Sequence, residues 1–442
     1  MTGTTTCSDS STRYTTGGID TARDKKKETR VSAREYICPY CFSEIDMSKV
    51  HYVCSGQSCA RNFAAMAMST RNAEKLKYVS KDGNNEIDPE KTMFYGKAIN
   101  SNEAVIAKQH IIRGPVAECD VCNRPVYSRV CPICHNPIPP GAEEDGNRIF
   151  VILGPKGVGK SHYIAVLIDQ LKNVISPEFN GVLSAATDST TLKYRELYYH
   201  RLFEEKRKLP MTTSFESADA NREPLIYYLR IFDQDKPKVF TFAFFDTAGE
   251  DLTSTEKIMS LNINTFISKA AGLVYLVDPL QSKYINPRIN IEGKPKIGPD
   301  ESDMLNNVCQ AIRQSSGSRI RSKDKIDIPI AVCLTKSDVL FKTPENEEED
   351  KVLFGPGSAL RIPREHGTFD KENFDQIDVE LREYMRRCLG DNFIQVVDGF
   401  RQHRFFAFSA LGCNPTQSSL PRAVSPSRVE DPFIWLLNNE EI

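Results

Sequence analysis

The chain has 442 residues, 40% of them hydrophobic and 26% charged, and its 57 basic and 59 acidic residues leave a net charge of −2. That length calls for two or three folded units with at least one sizeable core, and the balanced charge removes any electrostatic demand for nucleic acid or an anionic membrane. No apolar run approaches the roughly 18 residues of a spanning helix, and the N-terminus MTGTTTCSDSSTRYTTGG lacks the apolar stretch of a secretory signal, so a cytoplasmic protein without membrane contact is expected.

Residues 1–34 are rich in Ser, Thr and Gly, end in a charged run and show no apolar periodicity, which predicts a disordered tail. Residues 35–143 are dominated by paired cysteines: Cys38-Pro-Tyr-Cys41, then Cys54 and Cys59, then Cys119-Asp-Val-Cys122 and Cys131-Pro-Ile-Cys134. A two-residue spacing lets one tight turn aim two thiolates at a single tetrahedral ion, so these eight residues predict two structural zinc sites in a zinc-ribbon-like module. Taken in chain order the quartets are 38/41/54/59 and 119/122/131/134. Which pair closes with which is not fixed by spacing, and a crossed arrangement, in which 38/41 is completed by a later pair, stays open. His51 and His135 lie near enough to substitute, but cysteines already supply four ligands per site, which leaves no open coordination position for catalysis. Cys7, Cys309, Cys333, Cys388 and Cys413 have no partner spacing and are expected to be free thiols.

A stretch of Pro, Gly and acidic residues ends near Asn147 and marks the start of a second domain, 147–442. Apolar runs of strand length then alternate with helical stretches: Ile149 to Leu153, Leu225 to Phe232, Val239 to Phe245, Gly272 to Val277, Ile328 to Leu334 and Phe405 to Phe408. Such alternation predicts an α/β domain with a mainly parallel sheet covered by helices. Two polar insertions, Gln281 to Asp300 and Lys342 to Asp370, read as surface loops, and Thr191 to Lys208 as an extra, largely solvated helix packed on the core.

Four motifs punctuate this domain, each at the end of a predicted strand. After Leu153 comes a P-loop of Gly154, Pro155, Lys156, Gly157, Val158, Gly159, Lys160 and Ser161, followed by a helical pattern. Its glycines turn backbone N–H groups toward phosphate oxygens, Lys160 reaches the β and γ phosphates, and the Ser161 hydroxyl ligates Mg²⁺. After Phe245 comes DTAGE: Asp246 can hold Mg²⁺ through a water, and Gly249 can offer its N–H to the γ phosphate. After Leu334 comes Thr335-Lys336-Ser337-Asp338, in which Asp338 can accept from the guanine ring N–H and amine while the Lys336 stem lies over the base. A buried carboxylate left unpaired would penalise ATP. After Phe408 comes Ser409-Ala410-Leu411, whose backbone can meet the guanine oxygen. Asp278, which also follows a strand, is read as structural.

In this order the motifs GPKGVGKS, DTAGE, TKSD and SAL resemble those of Ras-like, translation-factor-related GTPases. The resemblance implies GTP and Mg²⁺ as ligands and hydrolysis to GDP and phosphate. Two departures stand out: Thr335 where the family usually has Asn, and Glu250 where Ras-like members carry a water-orienting Gln. A carboxylate beside the γ phosphate would either repel it or act as a base, which points to slow or partner-dependent turnover. A threonine ahead of the second strand should complete the Mg²⁺ shell. Thr212 and Thr213 are the first candidates, with Thr213 taken as the catalytic one, and Thr187 and Thr190 compete. The cysteine-rich module, together with ICPYCF, CPICHNPIP, GKSHYIAVLI and DPFIWLL, resembles a bacterial double-GTPase family and implies a role in conflict or defence systems.

The expected function is a nucleotide-state switch read by a protein partner. The alternative is a GTP-gated scaffold that does not hydrolyse and whose zinc module recognises a protein or nucleic acid. Nucleic acid is the less favoured partner, because residues 35–143 are not strongly basic.

Overall fold

The computed structural model describes residues 35–54, 86–138 and 147–438, apart from 96–99, 102–103, 107–109, 114–115, 120–122, 213–222, 233–237, 247, 261–262, 292, 317–319, 322, 342–352, 365–369 and 417. The expected tail of residues 1–34 lies outside the described residues.

Seven strands form the central sheet: β1 (Asn147–Leu153), β2 (Gly181–Ala185), β3 (Leu225–Ile231), β4 (Lys238–Asp246), β5 (Gly272–Val277), β6 (Ile330–Leu334) and β7 (His403–Ala407). Their spatial order is β2-β3-β4-β1-β5-β6-β7. Strands β4, β1, β5, β6 and β7 are mutually parallel. Strand β3 runs antiparallel to β4, and β2 antiparallel to β3. The mainly parallel sheet inferred from strand and helix alternation is therefore present, with one edge strand, β2, that the sequence reading missed. Its alternation GVLSA is short, and only Leu183 buries a large side chain.

Alternate residues of each central strand feed two separate apolar layers, as the period of two requires. Ile149, Val151, Tyr275 and Val332 face one layer with helices α4 (Glu301–Ser315) and α5 (Lys371–Leu389). Phe150, Ile152, Leu276 and Cys333 face the other with α1 (Lys160–Gln170) and α7 (Asp431–Asn438). Helix α7 holds the chain's one tryptophan, Trp435, whose ring packs at 5.8 Å and a tilt of 54° against Phe406 of β7. Helix α2 (Asp188–Lys193) runs into a wider helical stretch, Tyr194–Glu204, that buries Tyr198 and Leu202 and leaves its Arg and Glu side chains exposed. This agrees with a solvated helix on the core.

The cysteine-rich region is built from short two- and three-stranded pieces. Its apolar residues Tyr36, Phe42, Ile45 and Ile138 belong to the same continuous core as Phe245, Phe266 and the β1–β5 face of the central sheet.

Candidate nucleotide site and cysteine cluster

The carboxyl ends of β1, β5, β6 and β7 lead into loops that border one cavity of about 410 Å³, namely the P-loop, part of the insertion after β5, TKSD and SAL, while Asp246 at the end of β4 meets the P-loop at Ser161. The parallel pairings bring the motifs there, because each motif sits in the loop that leaves a strand on the same side of the sheet. The P-loop passes Gly154 at φ 143°, and a Cβ there would stand 2.6 Å from the Leu276 carbonyl oxygen, so only glycine lets β1 turn this close to β5.

Lys160, the first residue of α1, is buried and donates to the Gly154 and Pro155 carbonyl oxygens at 2.8 and 3.0 Å. Burial brings its ammonium down to about 8, with the nearby Asp246 carboxylate opposing the shift. Ser161 Oγ donates to Asp246 Oδ2 at 2.7 Å, Thr212 Oγ1 donates to the same oxygen at 2.9 Å, and the two hydroxyls are 2.9 Å apart. The other carboxylate oxygen, Asp246 Oδ1, is buried with no hydrogen-bond partner among the described residues. Burial raises the Asp246 carboxyl above its ordinary value, and the Ser161 hydrogen bond and the Lys160 charge pull it back. A cluster of hard oxygens with one buried, unsatisfied carboxylate oxygen fits Mg²⁺.

On the other side of the cavity, Lys336 stands at φ 53° and its Nζ bridges the Gly157 carbonyl, at 3.5 Å, and Asp278 Oδ2, at 2.5 Å. Asp278 also accepts from Leu280 N–H and the Gln281 amide, so the structural role read from sequence is the one it has. Thr335 Oγ1 donates to Val158 O and Val277 O, tying the base-side loop to the P-loop and β5. Asp338 accepts from Ser409 Oγ at 2.6 Å, and Ser409 Oγ in turn accepts from Gly412 N–H, which locks the carboxylate at the cavity rim.

Residues 148–385, more than half of the chain, match the family model described as Double-GTPase 2. The chain belongs to the Double-GTPase 2 family. It is therefore a member of a guanine-nucleotide-binding lineage. One relative, the "Putative ESX-1 scaffolding and assembly protein SaeC" of Mycolicibacterium smegmatis, is 27% identical over 319 residues, which are 70% of this chain and 78% of the relative. Among solved structures, the GTP-bound GTPase-like domain of S. cerevisiae Ski7 aligns over 67% of this chain and 50% of that one, at 11% identity and TM-score 0.26. Era of Aquifex aeolicus aligns over 66% and 56%, at 11% identity and TM-score 0.28. This chain spans about half the length of each of those two.

In this Double-GTPase 2 chain the sequence reading needs two corrections and one addition. The insertion Gln281 to Asp300 is a surface excursion only in part: its first stretch, with Gln281, Ser282, Ile285, Asn286 and Ile289, is buried, and the rest is mostly exposed. Gln281 is buried and donates to Lys156 O at 2.9 Å, and Pro295 to Gly298 border the cavity. Asn286 folds the stretch back by donating to the Leu280 and Pro295 carbonyls, a local side-chain cap that composition alone does not announce. Among the threonine candidates, Thr212 is the one beside Ser161 and Asp246. Thr213 lies outside the described residues, Thr187 caps helix α2 at Thr190 N–H, and Thr190 is buried against Ile226 N–H. The addition is His162, whose Nε2 accepts from Leu209 N–H at 3.1 Å and so fixes the segment that leads to Thr212. Burial and the Lys208 and Lys336 charges bring that imidazole down to about 4, which keeps it neutral and able to accept. Glu250 forms an ion pair with Lys156, Nζ to Oε2 2.8 Å.

The cysteines correct the chain-order quartets. Cys38 Sγ lies 3.7 Å from Cys134 Sγ, and Cys41 Sγ 3.7 Å from Cys131 Sγ. All four sulfurs fall within 4.8 Å of one another, so the crossed arrangement is the one present. A tetrahedral ion with Zn–S bonds of about 2.3 Å separates its sulfurs by about 3.8 Å, which this set fits. The two turns are built alike: Phe42 N–H donates to Cys38 O and His135 N–H to Cys131 O, and both Phe42 and His135 are left-handed at φ 58° and 52°. His135 is not in the cluster, since its Nδ1 meets the Asp88 carboxylate at 3.0 Å. Cys54 and Cys119 are buried elsewhere, and their sequence partners Cys59 and Cys122 lie outside the described residues.

Proposed function

We propose that this chain is a Mg²⁺-dependent GTP-binding switch that hydrolyses GTP to GDP and phosphate and whose nucleotide state is read by a protein partner. The observation that carries the reading is the Ser161, Thr212 and Asp246 oxygen cluster, with its unsatisfied Asp246 Oδ1, at the end of a P-loop whose earlier residues border a cavity that Asp338 also lines. In this reading Gly154 to Ser161 cradle the phosphates, with Lys160 on the β and γ groups. Ser161, Asp246 and a threonine of the Thr212-Thr213 pair hold Mg²⁺, and Gly249 meets the γ phosphate. Thr335, Lys336 and Asp338 read the guanine with the backbone of Ser409, Ala410 and Leu411. Glu250 faces the attacking water.

Zinc at Cys38, Cys41, Cys131 and Cys134 holds the N-terminal region in shape, and Cys54, Cys59, Cys119 and Cys122 make the second set. A third turn of the same build, with Asn123 N–H donating to Cys119 O and Asn123 at φ 54°, supports that second set. The scaffolding and assembly named for the relative favours a protein partner, and a role in conflict or defence rests on family resemblance alone. Among the described residues no helix is long and apolar enough to cross a membrane, and a cytoplasmic location belongs to the same reading. The GTP-gated scaffold that does not hydrolyse is the second reading, favoured by Glu250 in place of glutamine.

The deciding measurement is affinity and turnover for GTP against ATP, in the natural protein and in Asp338→Asn. GTP preference that is lost in the variant is expected. Unchanged selectivity would remove the guanine assignment, and tight GTP binding without turnover, with every partner supplied, would leave the scaffold reading.

A further inference from the structure

The Lys156 side chain, at the third position of the P-loop, is given no task by the phosphate cradle. Lys160 already supplies the buried ammonium that the Gly154 and Pro155 carbonyls hold in place. Lys156 is instead fixed from three sides. Its carbonyl accepts from Gln281 Nε2, and Gln281 is anchored on Asp278, which also holds Lys336. Its main chain lies directly under Gly249, where an added Cβ would come within 2.3 Å of Lys156 N and 2.4 Å of Pro155 C. Its Nζ meets Glu250 Oε2 at 2.8 Å. The ammonium thus stands between the P-loop and the Glu250 carboxylate of the DTAGE turn.

Two charges at that edge need an opposite partner. The γ phosphate gains no relief from a neighbouring carboxylate, and the phosphoryl oxygens carry the spread negative charge of the transition state. No arginine borders the cavity among the described residues. The Lys156 hydrogen bond holds the Glu250 carboxyl below its usual range, so the pair is a charged one.

We infer that Lys156 is a built-in cation of the hydrolytic step, balancing the Glu250 carboxylate and the γ phosphate so that a glutamate can serve where a neutral water-orienting side chain would otherwise be needed. This rests on the GTP-hydrolysis reading and adds to it a residue and a charge. In the step itself, the water oxygen bonds to Pγ while the Pγ–O bond to the β phosphate breaks. GDP leaves with that electron pair, and the water proton passes through Glu250 to an oxygen of the released phosphate. Lys156 Nζ donates to the phosphoryl oxygens as their charge builds, and Glu250 is freed to face the water.

The test uses the full chain and compares the natural protein with Lys156→Ala, Lys156→Arg, Glu250→Gln and the Lys156→Ala/Glu250→Gln pair. Single-turnover GTP hydrolysis, equilibrium GTP affinity and formation of the GDP–aluminium fluoride complex are read for each. Lys156→Ala should slow hydrolysis by about 100-fold while GTP affinity moves by less than about 3-fold. It should fail to form the aluminium fluoride complex yet keep GDP, and Lys156→Arg should recover most of both. The double variant should be no slower than the worse single one, since residues that act as a unit are not additive. Lys156→Ala hydrolysing at the natural rate while Glu250→Gln is slow would overturn the role of Lys156 and leave the GTPase reading intact. A natural protein that binds GTP and never turns it over would overturn both.

Discussion

The ring of Phe42, at the left-handed bend of the first cysteine turn, lies 5.0 Å from the ring of Phe245, the residue immediately before Asp246. Phe266 closes the cluster at 5.2 Å from both. The cysteine-rich region is thereby packed against the strand end that delivers Asp246, which gives it an apolar route to the proposed nucleotide site. Phe42→Ala should destabilise the chain by about 3 kcal/mol in urea unfolding. The same variant should weaken GTP binding measured at a temperature where it is still folded. Undiminished affinity would mean that the two regions share a core without sharing a function.

Crossed cysteine pairing makes a stoichiometric prediction. Cys38→Ser and Cys131→Ser should each release the same zinc ion, and the double variant should release no more than either alone. Pairing in chain order would instead make the two losses add. Metal content of the purified proteins reads the difference directly.

Ser409 holds Asp338 through a 2.6 Å hydrogen bond. Ser409→Ala removes that anchor without a cavity of consequence and should cost GTP affinity about 10-fold, in keeping with about 1.4 kcal/mol for one charged hydrogen bond. ATP affinity, which does not use the carboxylate, should stay where it is. Equilibrium titration with both nucleotides checks it.

Glu301 at the start of helix α4 is buried beneath Tyr275, whose hydroxyl donates to it at 2.6 Å. Burial, with Asp278 and Asp300 nearby, pushes its carboxyl up to about 8. A raised acid holds its proton more tightly when folded, so its contribution to stability is whole below the unfolded value near 4.5 and is lost as pH rises through about 8. Glu301→Gln keeps a hydrogen-bonding partner for Tyr275 and removes the titration. Its unfolding midpoint should exceed that of the natural protein above about pH 8, and the slope of stability between about pH 5 and pH 8 should flatten.

Most of the central sheet was legible because its strands are unmixed apolar runs that end in turn-forming motifs. Gly272 to Val277 was read to the residue, whereas β3 and β7 were off by one or two positions at their ends. The antiparallel direction of β3 escaped notice because direction leaves no mark in composition, and β2 itself was missed because three of its five residues are small or polar. At the site, Lys160, Ser161, Asp246, Lys336 and Asp338 stood in motifs whose spacing encodes chemistry. Gln281, Asn286 and His162 did not, since each acts by a single side-chain hydrogen bond to a distant backbone atom, a geometry that only the folded chain brings about. The cysteine pairing was undetermined for the same reason. Spacing sets which two thiolates share a turn and is silent on which turns meet.

The crossed cluster also imposes an order on synthesis. Its two halves are supplied by residues 38–41 and 131–134, about ninety positions apart in the chain. A nascent polypeptide emerging from the ribosome can present only the first pair of thiolates until the second has been translated, and two thiolates hold zinc poorly. With zinc bound there as proposed, capture of the ion waits for the second pair, which emerges shortly before β1.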